Sequence, residues 1–167
     1  PQKMAVFTNE NNETVLIYNS VDYLKARHGV NQATGPKVAK ALNNIAAMAT
    51  QSKLSQNEAT ADLNEGVVTV NSDQAFEDTY ASLLAVLSSN PAITIVAELD
   101  HQKNARSVGL DLRPTRVVIF GNPALGTALL QEAGNVSLDL PQKMLVYQDA
   151  AGNVKMAYND AAYIAKR

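Results

Sequence analysis

The chain has no cysteine and no tryptophan, and only two of its 167 residues are histidine. Without cysteine there are no disulfides, no thiolate nucleophile and no Cys-type zinc site. The compartment stays open on that count, because an exported protein can also lack cysteine. Charged residues are scarce at 18% and nearly balanced. The net charge of -2 leaves no broad electrostatic footprint for nucleic acid. No apolar run approaches the roughly 18 residues that a membrane-spanning helix needs. What is present is a composition 46% hydrophobic, too apolar for a disordered tail. The length suits one domain, or one and a half small ones, with enough chain for a real core.

The chain also repeats itself. Residues 1–27 align without gaps to residues 141–167 at a constant offset of 140. Pro1-Gln2-Lys3-Met4 returns as Pro141-Gln142-Lys143-Met144, and Tyr18-Asn19 returns as Tyr158-Asn159. Val6, Tyr23 and Arg27 match Val146, Tyr163 and Arg167, for nine identities in 27 positions. Two unrelated hairpins rarely agree over such a length. The chain therefore reads as the back part of one unit followed by most of a second.

Residues 4–8 read as a strand, Asn9–Asn12 as a turn and Val15–Tyr18 as the returning strand. The second copy repeats this plan through a turn that contains Gly152. Ser20 and Asp160 are suited to cap short helices over 21–27 and 161–167, and Gly29 to end the first. Pro36 opens a helix over 36–50 whose apolar stripe is Val38, Leu42, Ile45 and Ala49. Residues 51–65 are polar and aperiodic, a linker. A strand from Val67 follows. Ser72 or Asp73 then caps a helix over about 74–89 whose apolar stripe is Phe76, Tyr80, Leu83, Leu84 and Leu87, with Phe76, Tyr80 and Leu84 expected against the sheet. Further strands fall at 93–97 and 116–120, the second nearly continuous in apolar residues and so an inner strand. A helix is expected over 123–132. Strands interrupted by two or three helices favour an α+β architecture, an antiparallel sheet covered by helices on one face. The domains expected are 1–50, a linker over 51–65, and 66–167.

Several motifs then carry a family resemblance. They are Glu98-Leu99-Asp100-His101, Leu112-Arg113-Pro114-Thr115-Arg116, Phe120-Gly121-Asn122-Pro123 and Gly126-Thr127. Leu138-Asp139-Leu140-Pro141 leading into Lys143–Val146, and Tyr158-Asn159-Asp160, complete the set. In this order they resemble the domain of unknown function 302 family over about residues 66–167, with the tail of a first copy over 1–50. The resemblance implies a TATA-box-binding-protein-like sheet with helices on one side and tandem occurrence, and it implies no established activity. Against that pattern the chain looks like a tandem protein cut on both sides, with no signal peptide visible.

Candidate sites are few. Asp100-His101 is the only adjacent carboxylate–imidazole pair, suited to acid–base work or half a metal site. The plainer alternative is a helix-capping Asp beside a surface His. Gly121-Asn122 precedes Pro123 where a strand enters a helix, a place that can receive an anion and is also an ordinary turn. Lys3 and Lys143 with Arg113 and Arg116 can make a small basic patch, or blunt a sheet edge. No catalytic set, cofactor or tight metal site is expected. The leading expectation is a non-catalytic, exported assembly module that self-associates through its 1–30 and 141–167 hairpin regions, with no nucleic-acid partner and no transmembrane segment. The alternative is a small-ligand or anion-binding domain that uses Asp100, His101, Gly121 and Asn122 as one edge.

Overall fold

The computed structural model describes residues 2–30, 33–57 and 61–166. The chain divides into two compact units, Pro1–Glu65 and Gly66–Arg167.

The first unit opens with strands β1 (Met4–Thr8) and β2 (Thr14–Tyr18), an antiparallel pair in which Met4 faces Tyr18 and Val6 faces Leu16. The Asn9 side chain closes the turn by accepting from the backbone N–H groups of Asn11 and Glu13 at 3.0 and 2.9 Å. Asn12 takes the left-handed conformation this turn requires, which Asn tolerates better than most residues. Helix α1 (Val21–His28) starts on Ser20, whose hydroxyl accepts from the Tyr23 N–H, and stops at Gly29 with φ 63°. Helix α2 (Gly35–Thr50) follows.

The buried face of α2 differs from the stripe read in the sequence. Gly35, Leu42 and Ala46 are its buried residues, while Val38 and Ile45 are exposed. Gly35 lies against the side chains of Val21 and Lys25, where an added Cβ would sit 3.5 Å from each. The inward face keeps Leu42 from that stripe and adds Ala46 and Gly35, the latter beside α1. Residues 62–65 are also more than a polar spacer. The Asn64 N–H donates to the Arg27 carbonyl at 2.7 Å, and the Arg27 Nε donates to the Glu65 carbonyl at 2.9 Å.

The second unit contains β3 (Val67–Ser72), α3 (Phe76–Ser89), β4 (Thr94–Asp100), α4 (His101–Arg106), β5 (Thr115–Gly121) and α5 (Pro123–Glu132). A 3-10 turn, β6 (Gln142–Gln148), β7 (Val154–Asn159) and α6 (Ala161–Lys166) complete it. The strands form one antiparallel sheet in the order β3-β7-β6-β5-β4. This is the α+β sheet the strand pattern implied, with β5 an inner strand.

Helix α3 lays Phe76, Tyr80, Leu83 and Leu87 on Val118, Val146 and Val154 of β5, β6 and β7. Each such aliphatic or aromatic side chain contributes about 1.5–3 kcal/mol by leaving water. Leu84, expected in this core, is only partly buried, and its neighbour Leu83 takes the deeper place. The helix starts two residues later than expected, on Ala75 rather than a Ser72 or Asp73 cap. Ser72 is still the last residue of β3, and its hydroxyl meets that of Thr79 at 2.7 Å instead. At the other end of β3, Gly66 has φ +64°, and a Cβ there would run into the Tyr163 ring of α6. The Gly66 carbonyl accepts from the Asp160 N–H at 2.9 Å. Glycine is therefore required where α6 closes against the sheet.

Candidate functional site

Strands β4 and β5 pair antiparallel with Asp100 opposite Arg116 and Thr94 opposite Gly121. That register separates the residues the sequence suggested as one edge. Asp100 and His101 lie at one end of the pair, Gly121 and Asn122 at the other. Five to six residue steps of strand separate them, roughly 17–20 Å at about 3.3 Å per residue. A single pocket built on all four does not form.

At the Asp100 end the structure assembles a different cluster. The Arg116 guanidinium donates to both carboxylate oxygens of Glu77 at 2.7 and 3.0 Å, and its Nε reaches Asp100 at 3.1 Å. Its Cζ lies 5.3 Å from the Phe76 ring centre and 5.4 Å from that of Tyr80. The Tyr80 hydroxyl donates to Glu98 at 2.9 Å. Burial and then the Glu98 carboxylate push the Tyr80 phenol well above its usual range, so it stays a donor. The Glu77 bonds raise Arg116 further. Asp100 also caps α4 by accepting the Lys103 N–H at 2.8 Å, and that bond with Arg116 holds its carboxyl below the ordinary value.

His101 is half-buried at the start of α4. Burial lowers its pKa against the opposing pull of Asp100. Among the described residues no hydrogen bond joins the Asp100 carboxylate to the imidazole; its oxygens accept from the Lys103 N–H and the Arg116 Nε. Among the described residues no three His, Asp or Glu side chains gather to hold a metal.

The Gly121 end is equally occupied. The Asn122 side chain accepts from the N–H groups of Ala124 and Leu125 at 3.0 and 3.3 Å. The donors that would receive an anion at the start of α5 are thus taken by the helix's own cap. Of the proposed basic patch, Arg116 is neutralised by two carboxylates, and the Arg113 Nε donates to the Gln148 carbonyl. In the first unit a shallow cleft of about 290 Å³ is lined by Val21, Leu24, His28 and Val38 among others.

The Arg116 cluster does not stand out as a site in the linear sequence. One signal was available. Glu98 and Asp100 are two apart on a strand, hence on one face, and Arg116 heads an otherwise apolar strand. Such a charge next to a core strand needs partners.

The strand edges are the remaining feature. β1 and β2 form a two-stranded sheet of their own, and β3 and β4 end the five-stranded one. β1, β2 and β3 carry no charged residue. β4 has Glu98, Asp100 and a register irregularity between Ile95 and Ala97. Charges and bulges blunt an edge; the other three lack both.

Comparison with known proteins agrees with this architecture. The model of the family "Domain of unknown function DUF302" matches residues 68–167. A solved structure of an uncharacterised conserved DUF302 protein from Bacillus stearothermophilus superposes with a TM-score of 0.52. It is 23% identical and covers 57% of this chain and 73% of its own, a likeness of fold. Proteins named fluoride-specific ion channel FluC 1 from Brucella suis and from Brucella abortus are 36% identical over 105 residues, 63% of this chain. The matched region is only 41% and 38% of those proteins' own length. Among the described residues no helix is long and apolar enough to cross a membrane.

Proposed function

We propose that this chain, which belongs to the DUF302 family, is a non-catalytic interaction module that self-associates through its hairpin regions. One observation carries the reading. Val6 and Val146 occupy equivalent places in the two similar hairpins, yet Val6 is 65% exposed and Val146 is 0% exposed. In the second unit the hairpin is flanked by β5 and β3 and roofed by α3. In the first, no strand flanks it among the described residues. The hairpin packs within its own unit, as where the Tyr18 hydroxyl donates to Asn43 of α2 at 2.8 Å, and an added strand would pair the backbone groups its edges leave open.

The tandem origin of the hairpins is part of this reading, supported by their shared sequence and shared register. So is export, which the cysteine-free sequence leaves open and which cell fractionation tests. Nucleic acid is not the partner on this view, given the net charge of -2 and the neutralised Arg116. The channel name of the Brucella relatives describes whole proteins of which this chain matches about two fifths, and conduction is not carried over.

Light scattering tests the proposal. The full chain is expected to gain mass with concentration, and a version lacking residues 1–30 to remain monomeric. A full chain that stays monomeric at high concentration overturns it.

A further inference from the structure

We propose that the joint between copies is an antiparallel pairing of β2 from one chain with the outer edge of β3 from the next. The inference rests on the self-association reading above and adds the surface, the partner and the symmetry.

Each free edge makes a different offer. β4 is acidic and irregular, a protected edge. β2 (Thr14–Tyr18) and β3 (Val67–Ser72) have no charge, no proline and nearly equal lengths. β3 pairs with β7 in unbroken register from Val67 to Ser72, so its backbone is regular along the whole edge. Thr69 and Asn71 are exposed, and Val70 is 52% exposed.

The repeat selects the pair. By the offset of 140, β2 corresponds to β7, and β7 is the strand that takes β3. β1 corresponds to β6, whose outer partner is β5. β5 has no free edge, because β4 covers its other side. β3 has one. A second copy therefore offers β2 the strand type that its counterpart accepts, and has none to offer β1.

The two edges belong to opposite units of one chain, so the contact is heterologous. Each copy presents β2 at one place and β3 at another, and successive copies add head-to-tail. Such contacts make rings if they close and filaments if they do not. Main-chain hydrogen bonds supply the affinity, as in strand addition generally.

The test uses two full-length variants. Thr69→Lys with Asn71→Lys charges the β3 edge, and Thr14→Lys with Leu16→Lys charges β2. Far-UV circular dichroism and the thermal midpoint check folding, and Thr14→Lys alone replaces the second variant if Leu16→Lys unfolds the hairpin. The unaltered chain is expected to self-associate, as a closed pair if two reciprocal joints form and as a larger ring or filament otherwise. Each variant alone is expected to stay at 17.9 kDa. An equimolar mixture retains one good β2 and one good β3, so it should form a species of twice that mass and nothing larger. If the unaltered chain assembles but the mixture stays monomeric, or one variant alone still builds large species, the β2–β3 joint fails and self-association uses another surface. A monomeric unaltered chain overturns both proposals.

Discussion

The hairpins at 1–27 and 141–167 differ in what surrounds them and agree in almost everything local. Met4 faces Tyr18 as Met144 faces Tyr158. Asn9 accepts from the N–H groups two and four residues on, and Asp149 does the same with Ala151 and Asn153. Asn12 and Gly152 both take positive φ. Ser20 and Asp160 both cap the following helix. Register, turn and cap are short-range properties that a few residues set. Burial is not. Val146 lies under α3 between β5 and β7, whereas Val6 faces water. The same side chain is core in one place and surface in the other because neighbours remote in sequence decide it.

Substitution by aspartate breaks the comparison most sharply. Val146→Asp buries an unpaired carboxylate and should cost at least about 4 kcal/mol, enough to abolish cooperative unfolding of the second unit in a denaturant titration. If that unit tolerates the change, its core is misplaced.

The roof over the second hairpin comes next. Leu83→Ala should cost about 2–5 kcal/mol, and Leu84→Ala distinctly less, because Leu83 is the buried member of the pair. Equal losses in chemical denaturation would put the helix in a different phase.

A pH scan should separate the two turns. The Lys155 ammonium, 3.0 Å away, lowers the Asp149 carboxyl to about 2, helped by the N–H groups of Asn153 and Ala151. A depressed folded pKa contributes stability that is present above the unfolded value near 3.8 and is lost as pH falls toward 2. The second hairpin should weaken over that window, and Asp149→Asn should remove the dependence. Asn9, its counterpart, does not titrate. Carbonyl-detected NMR that places the Asp149 midpoint near 3.8 would remove the ion pair from the account.

The smallest effect should be at Val6. Val6→Asp is expected to change monomer stability by no more than about 0.5 kcal/mol, because the side chain is already exposed. A loss of several kcal/mol in the thermal midpoint analysis would show Val6 to be covered.

Much of the second unit was legible. Apolar runs marked β5 and β6, Asn122-Pro123 marked the start of α5, and the motifs from Glu98 to Asp160 carried the family. The site was less legible. Asp100, His101, Gly121 and Asn122 are all chemically suggestive types in a linear reading. Antiparallel pairing then sends the two pairs to opposite ends of β4–β5. The Arg116 cluster unites residues from α3, β4 and β5, up to 39 positions apart. Long-range register, which no local pattern encodes, creates it.

Two further details show the division. The period of α2 is set by its sequence, yet the packing of its unit decided which stripe faces inward, burying Ala46 and leaving Ile45 exposed. The start of α3 had good caps at Ser72 and Asp73, yet pairing of β3 with β7 kept Ser72 in the strand.

By itself the sequence determined the local geometry of this protein: its strands, its turns, most of its helix ends and the likeness of its two hairpins. Those follow from backbone preferences and side-chain-to-backbone bonds within a few residues. The tertiary structure alone decided which valine is buried, which carboxylates reach Arg116 and which strand edges stay open. Each depends on the free energy of bringing distant segments together, a quantity that no short stretch of chain contains.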